Sequence, residues 1–450
     1  MADELTSYLD ASLNEHDDVR RGAEQWLYQA AEEPGFVPMV LGILTDGEAS
    51  EEAQHAGAIF LKNVVNRSWK DRDLPHQYLI PEEDKLEARA RMFECMLAAP
   101  DYIRRQLQLV VWRMFEEGWP EAFPDVKGNI LEGLQAVDDE RKLSATLLIF
   151  YQLAKHHKFS KLHERVAYDE ILIEALPHLY ALTEMCLENP TPDSLLILTM
   201  VIKVYHVSAA YILPSFMIEP DTFRAWMQQF ASIVAIEVDE PHDGDRDEWH
   251  RRPVWRAKKW TCKTLHKIFH RYGTRSHVTE EYVEFSDMYC EVYSITILEL
   301  MWGEVQRFKS GAYVAPRVLT EAMKYLENAL EPSHTWVVLK PLVPEILSDL
   351  IFPLLSFSED DHELWTEDPP EYIRRKLDLS AAMDKVNTPD TEAAIFLGDL
   401  VGIRGKSMLN LIFEFAYAAI TADEVAENPT IKDGGLFMIA LVGDALIKST

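Results

Sequence analysis

Residues 101–117 read DYIRRQLQLVVWRMFEE, and the spacing of their apolar side chains indicates the class of fold. Counted from the first of them, the apolar residues follow four, seven, eight and eleven positions later, which places all of them on one face of an α-helix. They are Ile103, Leu107, Val110, Val111 and Met114. The stretch therefore predicts an amphipathic helix that buries one face.

The same helical pattern continues on both sides of this segment, and the helices come in pairs. Short junctions separate them, at 33–35 (EPG), 99–101 (APD), 118–120 (GWP) and 189–192 (NPTP). Proline disfavours helix in the residue before it, so each junction marks a helix end. Asp138-Asp139 supplies an N-cap for one of the helices. We predict helix pairs over 2–14 and 18–31, 36–45 and 50–68, 83–98 and 101–117, and 122–136 and 140–157.

The helix pair recurs roughly every 35 to 45 residues, which is the period of HEAT and armadillo arrays. Such hairpins do not bury their apolar faces alone, so they stack into a superhelix. We expect an all-α, right-handed α-solenoid of about ten HEAT-type helical hairpins. One large irregular helical domain is the alternative, because a helical pattern does not determine how helices stack. Residues 434–450 form an apolar helical pattern without a polar cap, so we expect the array to be truncated at the C-terminus.

The charge balance restricts the classes of partner. The 450 residues include 44 Lys and Arg against 75 Asp and Glu, which gives a net charge of −31. Such a chain repels nucleic acid and anionic membranes, since both are bound largely through Lys and Arg. We therefore expect basic protein partners, no direct nucleic-acid binding and no membrane insertion. The alternative is that the charge only keeps a large protein soluble.

The sequence shows neither a secretory signal nor a disulfide framework. Its four cysteines are scattered without a CxxC pair, and the N-terminus lacks the basic and apolar regions of a signal peptide. We expect a soluble protein in a reducing, intracellular compartment.

Three segments near the N-terminus carry a family resemblance. Residues 21–27 read RGAEQWL, residues 34–36 read PGF, and residues 54–69 read QHAGAIFLKNVVNRSW. In this order they resemble the importin-β N-terminal domain, with its Ala-Glu-x-x-Leu helix, Pro-Gly-Phe turn and Leu-Lys-Asn…Trp helix. The resemblance implies a Ran-binding N-terminal domain over 1–118 and further HEAT repeats over 119–450.

Further motifs are similar to receptors of the importin-seven/eight type. They are 254–260 (VWRAKKW), 271–273 (RYG), 313–319 (YVAPRVL), 339–341 (LKP), 351–353 (IFP), 363–369 (ELWTEDP) and 371–374 (EYIR). The last two are also similar to the importin-α export receptor.

The resemblance implies a nuclear import receptor without a cofactor or catalytic residues. Its expected partners are the GTP form of the small GTPase Ran, basic protein cargo and Phe-Gly nucleoporins. It would shuttle between cytoplasm and nucleus, meet the nuclear envelope at pores, and be a monomer when full length. An export receptor of the importin-α exporter type and a static HEAT scaffold without GTPase control are the alternatives.

Two predicted helices carry candidate Ran contacts. Lys62, Asn63 and Arg67 cluster within about one and a half turns of helix 50–68, and Arg104 and Arg105 lie on the next inner-type helix. The alternative for each is a solvated helix face.

The most unusual local feature is an acidic loop next to a basic helix. Residues 237–248 (EVDEPHDGDRDE) hold seven carboxylates, and the segment 249–279 holds none. The acidic side chains are Glu237, Asp239, Glu240, Asp243, Asp245, Asp247 and Glu248. The basic helix face consists of Arg256, Lys259, Lys263 and Lys267. One hypothesis is that the loop covers this face and yields to cargo or Ran; the alternative is a surface loop that only screens charge.

Other site signatures are weak. Cys262, His266 and His270 share one helix face, but the lysines around them oppose a metal, so no metal is expected. Residues 400–407 (LVGIRGKS) lack the first glycine of a phosphate-binding loop, and 362–366 (HELWT) lacks the second histidine of a zinc protease. The sequence therefore contains no catalytic constellation on which an enzyme assignment would rest.

Overall fold

The computed structural model describes residues 2–46, 49–73, 75, 77–239, 246–377, 387–422 and 429–449, and these residues form helices without any strand. The chain divides into two compact units, residues 1–217 and 218–450. Within the described ranges, no helix is both long and apolar enough to cross a membrane.

Unit 1 is built from paired helices. Its helices are α1 (Ala2–Ala11), α2 (Asp17–Ala30), α3 (Phe36–Thr45), α4 (Glu51–Ser68), α5 (Glu82–Ala98), α6 (Asp101–Phe115), α7 (Val126–Gln135), α8 (Glu140–His156), α9 (Val166–Glu188) and α10 (Pro192–Ala209). The eight helices predicted from the sequence are confirmed, most of them to within one or two residues at each end.

The main difference lies at the start of α7. The pattern predicted a helix from residue 122, but α7 begins at Val126. Gly118 adopts a left-handed conformation with φ of 83°, and Phe123 precedes Pro124, where helical backbone is disfavoured. The turn between α6 and α7 is therefore longer than predicted. The predicted N-cap of α8 is confirmed, because the Asp139 carboxylate accepts a hydrogen bond of 2.9 Å from the Lys142 amide.

The hairpins of unit 1 stack in sequence order. The second helices α4, α6, α8 and α10 contact one another in turn, and among the first helices α3 packs on α5 and α7 on α9. The apolar stripe predicted on α6 lies in this interface, with Ile103, Leu107 and Val110 fully buried. Burial of apolar surface stabilises a folded protein by about 25 cal/mol per Å², so these buried faces are the main source of stability for the stacked hairpins.

Unit 2 is also built from packed helices, but they are less regular than those of unit 1. Its helices are α11 (Pro220–Val234), α12 (Pro253–Tyr272), α13 (Val283–Val292), α14 (Ser294–Lys309), α15 (Pro316–Asn328), α16 (Ser333–Leu339), α17 (Val343–Ile346), α18 (Phe352–Leu355), α19 (Glu359–Glu367), α20 (Pro369–Leu377), α21 (Pro389–Arg404), α22 (Lys406–Thr421) and α23 (Pro429–Ser449). The helices α12, α15, α21 and α23 contact one another in turn, as the second helices of unit 1 do. The all-α fold of HEAT-type hairpins is thus confirmed, with five hairpins described in unit 1 and four in unit 2.

An ion pair is buried inside unit 2. The Lys258 ammonium on α12 lies 2.8 Å from Glu304 Oε1 on α14, and their side chains are 1% and 4% exposed. Removal of one partner from such a pair leaves an uncompensated charge in a medium of low polarity. Lys258 was not singled out from the sequence; its helical position falls between those of Leu265 and Phe269, on the buried apolar face of α12.

We expect Glu304→Ala to lower the free energy of unfolding by about 3–5 kcal/mol, because Lys258 is left buried without a counter-charge. The matched control is Lys309→Ala, which removes a surface lysine 2.6 Å from Glu345 and 2.9 Å from Asp349 and is expected to lower stability much less, because water screens these pairs. The measurement is urea unfolding followed by circular dichroism. Equal losses for the two variants would contradict the assignment of the buried pair.

Candidate binding surfaces

The first surface lies on the exposed side of α4 and α6. We call Lys62, Asn63, Arg67 and Arg105 the α4–α6 patch. The Lys62 ammonium donates a hydrogen bond of 2.8 Å to Gln106 Oε1, which ties the two helices together. Asn63, Arg67 and Arg105 are exposed. The patch therefore presents cations and an amide to a partner.

Arg104 differs from its neighbour Arg105. It is 5% exposed, and its guanidinium donates hydrogen bonds to the carbonyls of Ala99 at 2.9 Å and Arg141 at 3.3 Å. Burial lowers the pKa of Arg104, and the nearby Asp101 opposes that shift. The side chain joins the start of α6 to the start of α8, so we leave it out of the patch. Adjacent residues on a helix point about 100° apart, and Arg104, seven residues before the buried Val111, lies at the edge of the apolar stripe, whereas Arg105 points away from it.

A second surface alternates cations and aromatic rings across α6, α8 and α10. The Arg113 guanidinium lies 4.6 Å from the centroid of the Trp112 ring, and the Lys155 ammonium lies 5.9 Å from that centroid. Lys155 is also 5.9 Å from the Tyr151 centroid, and Lys203 is 5.6 Å from it. We call these five residues the second-helix ladder. Sequence reasoning missed it, although the Tyr151–Lys155 spacing of four places a ring and a cation on one helix face.

A third surface is an apolar pocket in unit 1. It has a volume of about 250 Å³ and is lined by residues of α5, α6 and the turn before α7, including Met92, Phe93 and Phe123. Leu86 stands at its rim with 65% of its surface exposed. Arg89 forms one wall, with its guanidinium 5.3 Å from the Trp69 centroid and 5.7 Å from the Phe123 centroid. We call this the α5–α7 pocket.

The acidic loop is only partly described by the structure. Glu240, Asp243 and Asp245 lie outside the described residues, as does the side chain of Asp247. Glu237 and Asp239 precede the gap, and the Asp239 carbonyl accepts a hydrogen bond of 2.9 Å from Arg252. Glu248 pairs with Arg251 at 2.6 Å within one turn. The proposal that the loop covers the basic face stays a prediction.

The basic helix face surrounds an aromatic ring on α12. The ammonium groups of Lys259 and Lys263 lie 5.4 Å and 4.9 Å from the Trp260 centroid, and Arg256 is exposed. Burial lowers the pKa of Lys259, and the charges of Arg317, Lys263 and Arg256 lower it further. These groups concentrate positive charge on one side of unit 2.

Lys267 follows Lys263 by one helical turn on α12. It lines a cleft with Glu327 of α15 and Glu392 of α21. Burial raises the pKa of Glu327 well above its usual range, helped by hydrogen bonds to Glu392 and Asp399. Because Lys324 lines the same cleft, Lys267 faces neighbours of both charge signs.

The candidate metal ligands on α12 have different neighbours. His266 Nδ1 lies 2.8 Å from Glu321 Oε2, His270 Nδ1 lies 3.1 Å from Asn328 Oδ1, and Cys262 is fully buried. Burial raises the pKa of the Cys262 thiol. In the part of the chain that the structure describes, no group of His, Cys, Asp and Glu residues is arranged to hold a metal ion.

Comparison with known proteins agrees with this geometry. Residues 23–98 match the family model of the importin-beta N-terminal domain. The chain is 30% identical to importin-8 of Homo sapiens over 96% of its length and 42% of that protein. It is 23% identical to the probable importin-7 homolog of Dictyostelium discoideum over 96% of its length and 41% of that protein. The chain thus spans less than half the length of the curated relatives that it matches.

Solved structures show the same fold. The exportin Cse1 in its cargo-free, cytoplasmic state matches 98% of the chain with a TM-score of 0.80 at 16% identity, over 47% of the Cse1 chain. Kap95p, described as inducing the switch loops of RanGDP to adopt the GTP-bound conformation, matches 98% of the chain with a TM-score of 0.60 at 15% identity, over 45% of its own chain. The HEAT-repeat architecture, the N-terminal motifs and the importin relatives converge, and the chain belongs to the importin-β superfamily, close to its importin-7/8 type.

Proposed function

We propose that this chain is part of a nuclear import receptor that binds Ran-GTP, basic protein cargo and Phe-Gly nucleoporins, and shuttles between cytoplasm and nucleus. The observation that carries the proposal is the identity to importin-8, which extends over 96% of the chain. The identity of 30% to importin-8 exceeds the identity of 22% to exportin-2 of Homo sapiens, and this difference favours import. The net charge of −31 favours basic cargo.

The α4–α6 patch is the proposed contact surface for Ran-GTP. It lies largely in the segment 23–98 that matches the importin-beta N-terminal domain, and the related fold of Kap95p is described as acting on the switch loops of Ran. Exposed arginines suit such a contact, because a planar guanidinium binds carboxylates in a bidentate geometry. Arg67 is held only loosely by the chain itself, with Glu32 at 4.0 Å and both side chains 58% exposed. It is therefore free to reorient toward a partner at little energetic cost.

We expect the double variant Arg67→Glu/Arg105→Glu to weaken Ran-GTP binding at least tenfold, because it places two carboxylates where cations stood. The matched control is Arg224→Glu on α11, an exposed arginine that pairs only within its own turn, with Asp221 at 2.6 Å. Binding is measured by interferometry with Ran loaded with GTP or GDP. Unchanged Ran-GTP affinity in the double variant would refute the patch. Equal affinity of the unaltered chain for the two nucleotide forms would favour the static scaffold.

The α5–α7 pocket is the proposed site for a phenylalanine of a Phe-Gly repeat. Its walls are apolar and aromatic, and its volume of about 250 Å³ exceeds the roughly 150 Å³ that holds a benzene ring in a protein interior. Arg89 adds a cation beside the ring position.

We expect Leu86→Glu to reduce retention of the chain on an immobilised Phe-Gly peptide several-fold, since it places a charge at the pocket rim. Leu86 is exposed, so the fold should tolerate the change. The control is Leu162→Glu, the same change at a leucine that is 52% exposed and does not line the pocket. Equal retention of both variants and the unaltered chain would exclude this pocket as the site.

A further inference from the structure

The second-helix ladder forms a run of cations and rings that the proposed Ran and nucleoporin contacts do not use. Arg113, Lys155 and Lys203 come from three successive second helices. Arg113 and Lys155 both lie over the Trp112 ring, and Lys155 and Lys203 both lie over the Tyr151 ring. Trp112 connects α6 to α8, and Tyr151 connects α8 to α10. The three charges therefore follow the direction in which the hairpins stack.

Two of the three cations in the ladder, Arg113 and Lys155, differ in how their charge is compensated. Arg113 pairs with Glu116 at 2.6 Å, within its own helix end. The Lys155 ammonium has no carboxylate within 4.0 Å among the described residues, and its side chain is exposed. Desolvation of its ammonium, which lies against the Trp112 and Tyr151 rings, lowers the pKa of Lys155, and the charge of Lys158 lowers it further. An anion bound to Lys155 would relieve the repulsion between Lys155 and Lys158.

The helix dipole does not account for the arrangement. Arg113 and Lys155 lie in the last turns of α6 and α8, where the partial negative charge of a helix end favours cations. Lys203 lies six residues before the end of α10, outside the last turn. Its position over Tyr151 is set by the neighbouring helix.

An exposed aromatic pair extends the surface next to Lys155. The rings of Phe159 and Tyr211 meet at 4.4 Å, and the Lys158 ammonium lies 4.9 Å and 5.8 Å from their centroids. Phe159 is 68% exposed and Tyr211 is 40% exposed. Exposed aromatic rings beside cations suit a ligand that carries both an acid and an apolar group.

We propose that the second-helix ladder binds an acidic, extended segment of a partner protein, with carboxylates on Arg113, Lys155 and Lys203 and an apolar side chain on the Phe159–Tyr211 pair. Packed helices lie roughly 8–10 Å apart, so cations on successive helices repeat at about that distance. A polyproline II strand rises about 3.1 Å per residue with three residues per turn, so every third side chain lies on one face at a matching repeat. A peptide whose carboxylates match the spacing of the three cations therefore has an acidic residue at every third position.

A protein segment fits this surface better than a nucleic acid does. The net charge of −31 opposes every anionic ligand, and it opposes a nucleic-acid strand, with one phosphate per nucleotide along its whole length, more than a short peptide. A peptide with three carboxylates meets the three cations of the ladder and brings no further charge. This inference goes beyond the proposed receptor function, because the ladder shares no residue with the α4–α6 patch.

The test is fluorescence anisotropy with a labelled, C-terminally amidated peptide, (Glu-Pro-Ala)₃-Leu, at low and at physiological salt. We expect saturable binding that weakens with salt, and at least fivefold weaker binding for Lys155→Glu/Lys203→Glu. Lys155→Arg should retain binding, and the control Lys161→Glu, at an exposed lysine outside the ladder, should leave it unchanged. A peptide of the same composition with its glutamates adjacent should bind more weakly.

Three results would overturn the proposal. The first is absence of peptide binding by the unaltered chain. The second is equal affinity in Lys155→Glu/Lys203→Glu, whose fold is checked by circular dichroism. The third is tighter binding of single-stranded poly(U) than of the peptide to the same residues, which would identify a nucleic-acid surface. None of these results depends on whether Ran-GTP binds.

Discussion

The burial of each hairpin's apolar face against the next hairpin is the constraint on which the rest of the structure depends. A two-helix hairpin is too small to enclose a core, so its stability comes from its neighbours. In unit 1 this contact runs through α4, α6, α8 and α10, and in unit 2 through α12, α15, α21 and α23. Because one face of the second helix in each hairpin is buried in the stack, the opposite faces of these helices present polar side chains in rows.

The same constraint explains where the charges lie. Charged residues that the stacking traps are satisfied internally, as Arg104 is by two carbonyl groups and Lys258 by Glu304. Those on the outer rows bridge adjacent helices, as Lys62 does to Gln106. The cations of the second-helix ladder rest on rings of adjacent helices in the same way. The proposed binding surfaces therefore follow from how the repeats pack.

Much of the fold was predictable from the sequence, because helical periodicity and proline junctions act locally. The apolar stripe of α6 and the N-cap Asp139 were both predicted correctly. The N-terminal motifs also identified the superfamily, which the family model and the relatives confirm. The start of α7 was missed by a few residues, since the turn around Gly118 and Pro124 breaks the pattern.

The candidate sites were predictable only in part, because they depend on contacts between residues far apart in the chain. Helical spacing places Arg104 nearer the apolar stripe than Arg105, but it does not reveal the carbonyl groups that hold Arg104, which come from the ends of two other helices. The ladder needs Trp112 and Lys155, which are 43 positions apart, on adjacent helices. Repeat length brings such residues together, but it does not say which side chains meet.

The most direct measurement is hydrogen–deuterium exchange of the chain alone, with Ran-GTP and with Ran-GDP. The proposed receptor function predicts slower exchange at the backbone amides of α4 and α6 with Ran-GTP, and little change there with Ran-GDP. Exchange that is identical in all three samples, or protection that avoids α4 and α6, would contradict it.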